Sequence, residues 1–223
     1  MNKEDLQYLN AQPDGRTVLT TSRLEIRELV RKNASSVLHI ISECPENAFM
    51  LPSLDLPGSG HGNSDDRPTG CQDSDELKTG ALIAGDITDQ YRFFGYGLWG
   101  VFYLGANIGL AMLKNGSESG TAEIGYAILK EYRRCGFMTE AMLAVLEYAR
   151  GQGFLKAEIQ ASGENLVSQA FFDNLVKKYY TLYPDRPETT GRTTDQTSDH
   201  PADHATDRTA DHTTVVDSFS FTL

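Results

Sequence analysis

An apolar strand, a short basic turn and an amphipathic helix succeed one another between Glu123 and Ala149, and no other stretch constrains the fold as much. Glu123-Ile124-Gly125-Tyr126-Ala127-Ile128-Leu129 is uncharged after its first residue and rich in β-formers, which reads as a buried strand. Met138, Ala141, Met142, Val145, Leu146 and Ala149 recur at i, i+3, i+4, i+7, i+8 and i+11, so they form one apolar stripe at the helical period. Between the two lies Arg133-Arg134-Cys135-Gly136-Phe137-Met138. So short a connection delivers its backbone N–H groups to the start of the helix. A helix start carries unpaired donors and a partial positive charge, which suits a phosphate or pyrophosphate. Gly136 permits close backbone approach and the arginines add cationic donors. The bland alternative is a basic surface turn ahead of an ordinary helix.

The rest of the chain arranges itself around this unit. At 223 residues there is room for one domain with a sizeable core and some additions. A formal net charge of −11 argues against a nucleic-acid-binding surface. No run of eighteen apolar residues is present and Met1-Asn2-Lys3-Glu4-Asp5 opens no apolar signal region, so the expectation is a cytoplasmic protein without a membrane partner. Cys44, Cys71 and Cys135 are odd in number and widely spaced, which fits reduced thiols and no metal site. His200 and His204 stand four apart, but inside a repeat they make a weak metal signal.

In chain order, residues 1–19 form a polar leading segment. Arg23 to Arg27 alternates like a half-buried strand, and Asn33 to Ile41 reads as a helix with Asn33 as its cap. Residues 54–79 contain almost no apolar side chains, and an inserted loop is expected there. Glu76 to Tyr91 suggests a helix weakened by Gly80 and Gly85. Tyr96 to Tyr103 and Asn107 to Leu113 read as a hairpin turning at Gly105-Ala106. Lys156 to Ala161 predicts a strand, Asn165 to Leu175 a helix, and Tyr179 to Tyr183 a further strand. Residues 184–214 are low in complexity. Asp195, Asp199, Asp203, Asp207 and Asp211 fall every fourth residue, which would stack like charges in a helix, so residues 193–214 are expected to be disordered. Val215 to Leu223 recovers strand character, with Phe219, Phe221 and Leu223 on one face, as a final strand of the domain spanning residues 20–183.

Arg133-x-x-Gly136-x-Met138 resembles the phosphate-loop signature of the GNAT family of N-acetyltransferases, with Met138 where the family usually has Gly or Ala. Three flanking pieces resemble its RimJ/RimL-type subgroup: Thr21 to Arg27, Gly95 to Gly100, and Glu164-Asn165 with Ser168. The resemblance covers roughly residues 20–176. It implies an α/β fold with a mixed, mostly antiparallel twisted sheet flanked by helices, and acetyl-coenzyme A as cosubstrate in a split between two central strands. It further implies that Ile124, Gly125, Tyr126, Ala127 and Ile128 line the pantetheine arm, that Arg133, Arg134, Cys135, Gly136, Phe137, Met138 and Thr139 hold the pyrophosphate, and that Asn165 contacts the coenzyme. Gly125 could instead mark a β-bulge, Tyr126 could be core, and Asn165 could be a helix cap.

Transfer of an acetyl group from a thioester to an amine needs a proton acceptor for the amine and help for the leaving thiolate. By resemblance Glu123 is the base, against a strand-end carboxylate facing solvent. Many members place an acidic tyrosine seven residues after the asparagine, where this chain has Phe172. The RimJ/RimL-type members resemble this chain in lacking that tyrosine, and some use a serine at the position matching Ser168, so by resemblance Ser168 is the candidate acid, against a helix hydroxyl bonded to its own backbone. The implied function is direct acetylation of a primary amine, on a small molecule or a protein N-terminus. The rivals are a non-catalytic acyl-coenzyme A-binding protein and an interaction protein working through its acidic repeat. Neither the acceptor nor the choice between monomer and dimer can be read from the residues.

Overall fold

The computed structural model describes residues 15–44, 47, 50, 85, 97–116, 118–162, 165–186, 190–196 and 215–223. The inserted loop at 54–79, all but one residue of the helix expected over 76–91, and the repeat from residue 197 on lie outside them.

Eight strands form one sheet in the order β1-β2-β3-β4-β5-β6-β8-β7. They are β1 (Thr17–Thr20), β2 (Glu25–Glu28), β3 (Leu98–Tyr103), β4 (Ala106–Asn115), β5 (Thr121–Ile128), β6 (Lys156–Ser162), β7 (Thr190–Gln196) and β8 (Val215–Thr222). Among the described residues three helices flank it: α1 (Ala34–Glu43), α2 (Phe137–Gly151) and α3 (Leu166–Leu182). Every neighbouring pair is antiparallel except β5 and β6, which α2 joins by the crossover that parallel strands require. None of the described helices is long and apolar enough to cross a membrane.

Side-chain alternation along β5 divides the core into two layers. Leu98, Leu110, Met112 and Ala127 pack with Val37, Ile40 and Ile41 of α1 on one face. Ile124 and Ile128 pack with Met138, Ala141, Met142, Val145 and Leu146 of α2, and with Phe172, Leu175 and Tyr179 of α3, on the other. The expected apolar stripe of α2 is buried in full, joined by Phe137 at its first turn, and burying an apolar side chain of this size is worth about 1.5–3 kcal/mol. Trp99 and Phe102 are core residues, Trp99 edge-on to Tyr148 of α2.

Four local expectations need correction. The hairpin turns at Leu104-Gly105 rather than Gly105-Ala106, with both residues at positive φ (49° and 83°), the pattern of a two-residue turn that matches strand twist. Asn33 precedes α1 but does not cap it through its side chain, because Asn33 Oδ1 accepts the Val30 N–H at 2.9 Å. Tyr179 to Tyr183 is not a strand: α3 runs to Leu182 and Tyr183 follows as its C-terminal cap residue. Phe172, Leu175, Val176 and Tyr179 extend a helical stripe against Phe219 and Phe221 of β8, and Tyr180 is buried beside them. Residues 193–196, including Asp195, belong to edge strand β7, paired to β8. Phe219, Phe221 and Leu223 are buried on the predicted face of β8.

Candidate active site

β5 and β6 pair over three residues only, Thr121 with Lys156, Ala122 with Ala157, and Glu123 with Glu158. Beyond this fork β5 continues against β4 up to Ile128 opposite Gly109, while β6 continues against β8 up to Ser162 opposite Val216. The ladder between β5 and β6 therefore stops while both strands go on. Ile124 to Ile128 present a strand edge to the resulting split, where an extended ligand can take the place of a neighbouring strand. Gly125 sits in a regular ladder with no bulge. A Cβ there would meet the methyl groups of Met50 at 2.8 Å and Met112 at 2.9 Å, so the glycine makes room for side chains on the α1 face.

The connection from β5 to α2 opens at the far end of this edge. A 3-10 turn (Lys130–Tyr132) leads into it, Arg134 (φ 63°) and Gly136 (φ 78°) adopt left-handed backbone, and no side chain caps α2. The first-turn amides of Phe137, Met138 and Thr139 place the helix's positive end here. A Cβ on Gly136 would meet only Arg23 Nη2, at 3.6 Å. The face of the loop at Gly136 is open.

The predicted loop residues divide between two tasks. Arg133, although exposed, donates to Ile128 O at 3.2 Å and Cys44 Sγ at 3.1 Å, so its guanidinium braces the loop. Met138 is buried with its methyl group beneath Gly109 of β4, away from the loop's open side. Phe137 packs on Tyr103 at 4.6 Å between centroids. Arg134, Cys135 and Gly136 are exposed, and Thr139 is half-buried.

The segment Thr21-Ser22-Arg23 fastens the helix start, a role not legible in the sequence. Glu140, in the first turn of α2, accepts hydrogen bonds from Thr21 Oγ1 (2.6 Å), Ser22 Oγ (2.9 Å), Arg23 N (2.9 Å) and Arg23 Nε (2.7 Å). Partial burial pushes its carboxyl up, but the Thr21 hydroxyl, the Arg23 guanidinium and N–H, and the Ser22 hydroxyl outweigh this and hold its pKa at about 2. Arg23 also donates from Nη1 to Cys135 O at 3.2 Å and lies over the Phe137 ring at 4.4 Å. One arginine thus ties the edge of the sheet, the loop and the helix together.

Glu123 stands at the fork itself. It is buried, next to Glu158 across the β5–β6 pair, and Lys114 Nζ lies 2.9 Å from Glu123 Oε1. The lysine offsets the buried charge, without which a carboxylate here would be costly. Glu123 pairs with Lys114 in the same register that sets Gly125 opposite Met112, so it faces the α1 side. Tyr126 takes the opposite face. Its ring stacks on Phe171 of α3 at 4.2 Å between centroids, and its hydroxyl lies 3.0 Å from Ser168 Oγ. Asn165 caps α3, its Oδ1 accepting the Ser168 N–H at 3.0 Å, and this fixes Ser168 in the first turn. Phe172 is buried against Phe219 and Phe221 at 5.7 Å from each, so the absent tyrosine's position is filled by core packing.

A cavity of about 890 Å³ lies elsewhere, between α3 and the β7–β8 edge, lined by Asp173, Lys177, Tyr180 and Gly191 among others. None of its lining residues belongs to β5 or to the loop, and it contributes nothing to the split.

A family profile described as the acetyltransferase (GNAT) domain matches residues 67–175. No curated protein is significantly similar to the chain in sequence. Among solved structures, RimL, described as a ribosomal-protein alpha-N-acetyltransferase, superposes with a TM-score of 0.59 at 16% identity, over 94% of this chain and 95% of its own. An acetyltransferase from Salmonella typhimurium, described as modifying an N-terminal serine of a ribosomal-subunit protein, gives 0.57 at 14% identity, over 93% and 99%. The microcin self-immunity acetyltransferase MccE, solved with acetyl-coenzyme A and AMP, gives 0.57 at 14% identity, over 95% and 96%. At these identities the likeness is one of fold.

Proposed function

We propose that the chain is a GNAT-type acetyltransferase, a reading supported by the match of that domain profile to residues 67–175 and by the fold, and that it transfers an acetyl group from acetyl-coenzyme A to a primary amine by direct attack. The fork carries this reading: β5 and β6 part after three paired residues, directly ahead of a loop with left-handed backbone at Arg134 and Gly136 and an uncapped helix start. An elongated ligand with a phosphate group at one end fits this arrangement. The residues suit acetyl-coenzyme A, whose thioester supplies the acetyl group.

The roles follow from position. The amides of Arg134 to Thr139 hold the pyrophosphate, and the open edge of Ile124 to Ile128 aligns the pantetheine arm by backbone hydrogen bonds. Glu123 takes a proton from the amine, directly or through a water, on the α1 face. Its ion pair with Lys114 keeps it oriented at the fork. Asn165 orients Ser168 through the cap it makes. The acceptor is a small amine or a protein N-terminus.

Thermal unfolding with acetyl-coenzyme A, coenzyme A and neither tests the binding half of the proposal. Ligand at a hundredfold excess over its dissociation constant stabilises the folded state by about 2.7 kcal/mol, so a raised midpoint is expected. Gly136→Val should abolish the shift, because the branched side chain covers the loop face and is strained at φ 78°. A wild-type protein that unfolds cooperatively with an unmoved midpoint refutes the site. Release of free thiol across a panel of primary amines, including short peptides, tests the transfer half.

A further inference from the structure

The missing α3 tyrosine raises the question of which group protonates the leaving sulfur. Resting on the acetyltransferase reading above, we propose that Tyr126 is the proton donor to the coenzyme A thiolate, and that Ser168 is its positioning partner.

Three observations carry this. The Tyr126 hydroxyl lies 3.0 Å from Ser168 Oγ, so a β5 side chain and the first turn of α3 are joined at the split. Tyr126 is the central residue of the β5 edge beyond the fork and is half-buried, whereas Phe172 is buried in apolar contacts and has no proton to give. The Ser168 position is fixed twice, by the Asn165 cap at its N–H and by the tyrosine at its hydroxyl. Acid strength then assigns the roles. A phenol ionises near pH 10, close to the thiol range, whereas an aliphatic hydroxyl is a far weaker acid.

The step balances. The amine nitrogen bonds to the acetyl carbon and loses one proton to Glu123. The carbon–sulfur bond breaks, its electron pair stays on sulfur, and the Tyr126 hydroxyl gives that sulfur a proton. Ser168 donates its own O–H to the phenolate left behind, which lowers the cost of forming it. Solvent returns the proton to Tyr126 and removes the one on Glu123. Base and acid approach the thioester from opposite faces of β5.

Tyr126→Phe keeps the ring on Phe171 and removes only the hydroxyl. It should lower kcat by about 10²-fold with acetyl-coenzyme A affinity by calorimetry within about twofold, and free coenzyme A should bind about tenfold more weakly at pH 9, where its thiol begins to ionise. The fall of kcat/KM at alkaline pH that marks an essential acid should disappear in the same variant. Ser168→Ala should lose about tenfold in kcat, and Ser168→Thr should recover it. If the wild type acetylates amines and Tyr126→Phe keeps its kcat within about threefold, or keeps the alkaline fall, the assignment to Tyr126 is overturned and the transferase reading stands. A wild type that binds acetyl-coenzyme A and acetylates no amine overturns both.

Discussion

Glutamine in place of Glu140 changes one charge at the junction of the sheet edge, the phosphate loop and α2. The carboxylate collects four hydrogen bonds from three consecutive residues, and its pKa falls from 4.5 to about 2. At about 1.4 kcal/mol per unit, that shift corresponds to roughly 3 kcal/mol in favour of the charged form. The side chain keeps 18% of its exposure, and solvent screening reduces the expected loss for Glu140→Gln to about 2 kcal/mol. For a protein of this length such a loss lowers the midpoint by about 4–8 °C at pH 7. Glutamine also sets an NH₂ group or a neutral oxygen against Arg23 Nε, which loosens the arginine's hold on Cys135 O. The stabilisation from acetyl-coenzyme A should therefore shrink in the variant. Because the folded pKa is depressed, the contribution is complete above the unfolded value near 4.5 and is lost as pH falls toward 2. At pH 3 about two-fifths of it remains. Thermal unfolding at pH 7 and urea titrations of both proteins at pH 7 and pH 3 measure this. A midpoint difference under about 1 °C at pH 7, or a difference in stability that does not narrow at pH 3, refutes the role given to the carboxylate.

Glu123→Gln should lower kcat by about 10²-fold or more while leaving the thermal shift with acetyl-coenzyme A in place; unchanged turnover would remove Glu123 as the base. Arg186→Ala should destabilise the protein by about 2 kcal/mol in urea unfolding, because Arg186 donates to both carboxylate oxygens of Glu147 on α2 (2.6 and 3.1 Å) and to the Tyr179 hydroxyl, and stacks on Tyr183. Burial pushes the Tyr179 hydroxyl up, so it stays a neutral acceptor and the loss should hold steady from about pH 6 to 9. Gly109→Ala should cost about 1–3 kcal/mol in the same assay, since its Cβ would lie 2.6 Å from Ala127 O, a backbone atom in the adjacent strand.

What is legible in the sequence is local. The strand from Glu123, the turn through Gly136 and the stripe on α2 each follow from the spacing of a few neighbouring residues, and each stands where expected. α3 reads too short in the sequence because Tyr179 and Tyr180 have β propensity in isolation, while their burial against Phe221 decides for the helix. Propensity gives way to packing wherever an apolar stripe finds a partner. The Glu140 contacts are beyond reach for another reason. They join residues 117 to 119 positions apart, and nothing in the Thr21-Ser22-Arg23 segment names its partner. Likewise, the motif that marks Arg133 as a ligand for phosphate gives no sign that its guanidinium is spent on Ile128 O and Cys44.

The alternation of β5 explains why one strand can carry both ends of the proposed proton traffic. Glu123 and Tyr126 are three residues apart, so their side chains leave opposite faces of the sheet. The ladder to β4 has no bulge between them, and an inserted residue there would put both on one face. Gly125 keeps the ladder regular by leaving space for the methyl groups of Met50 and Met112. A larger side chain would press on those methyl groups and, through Met112, on β4, which also carries Lys114, the partner of Glu123. The fork determines the third dimension, since β6 leaves the ladder after Glu158 and opens the outer edge of the next residues of β5 to the split. Position along the strand, parity and the point of divergence together place the proposed base, the proposed acid and a backbone edge around one space. Only the first two are properties of the β5 sequence. The third depends on where β6 and β8 pair, which is why the split comes from the fold and not from the strand.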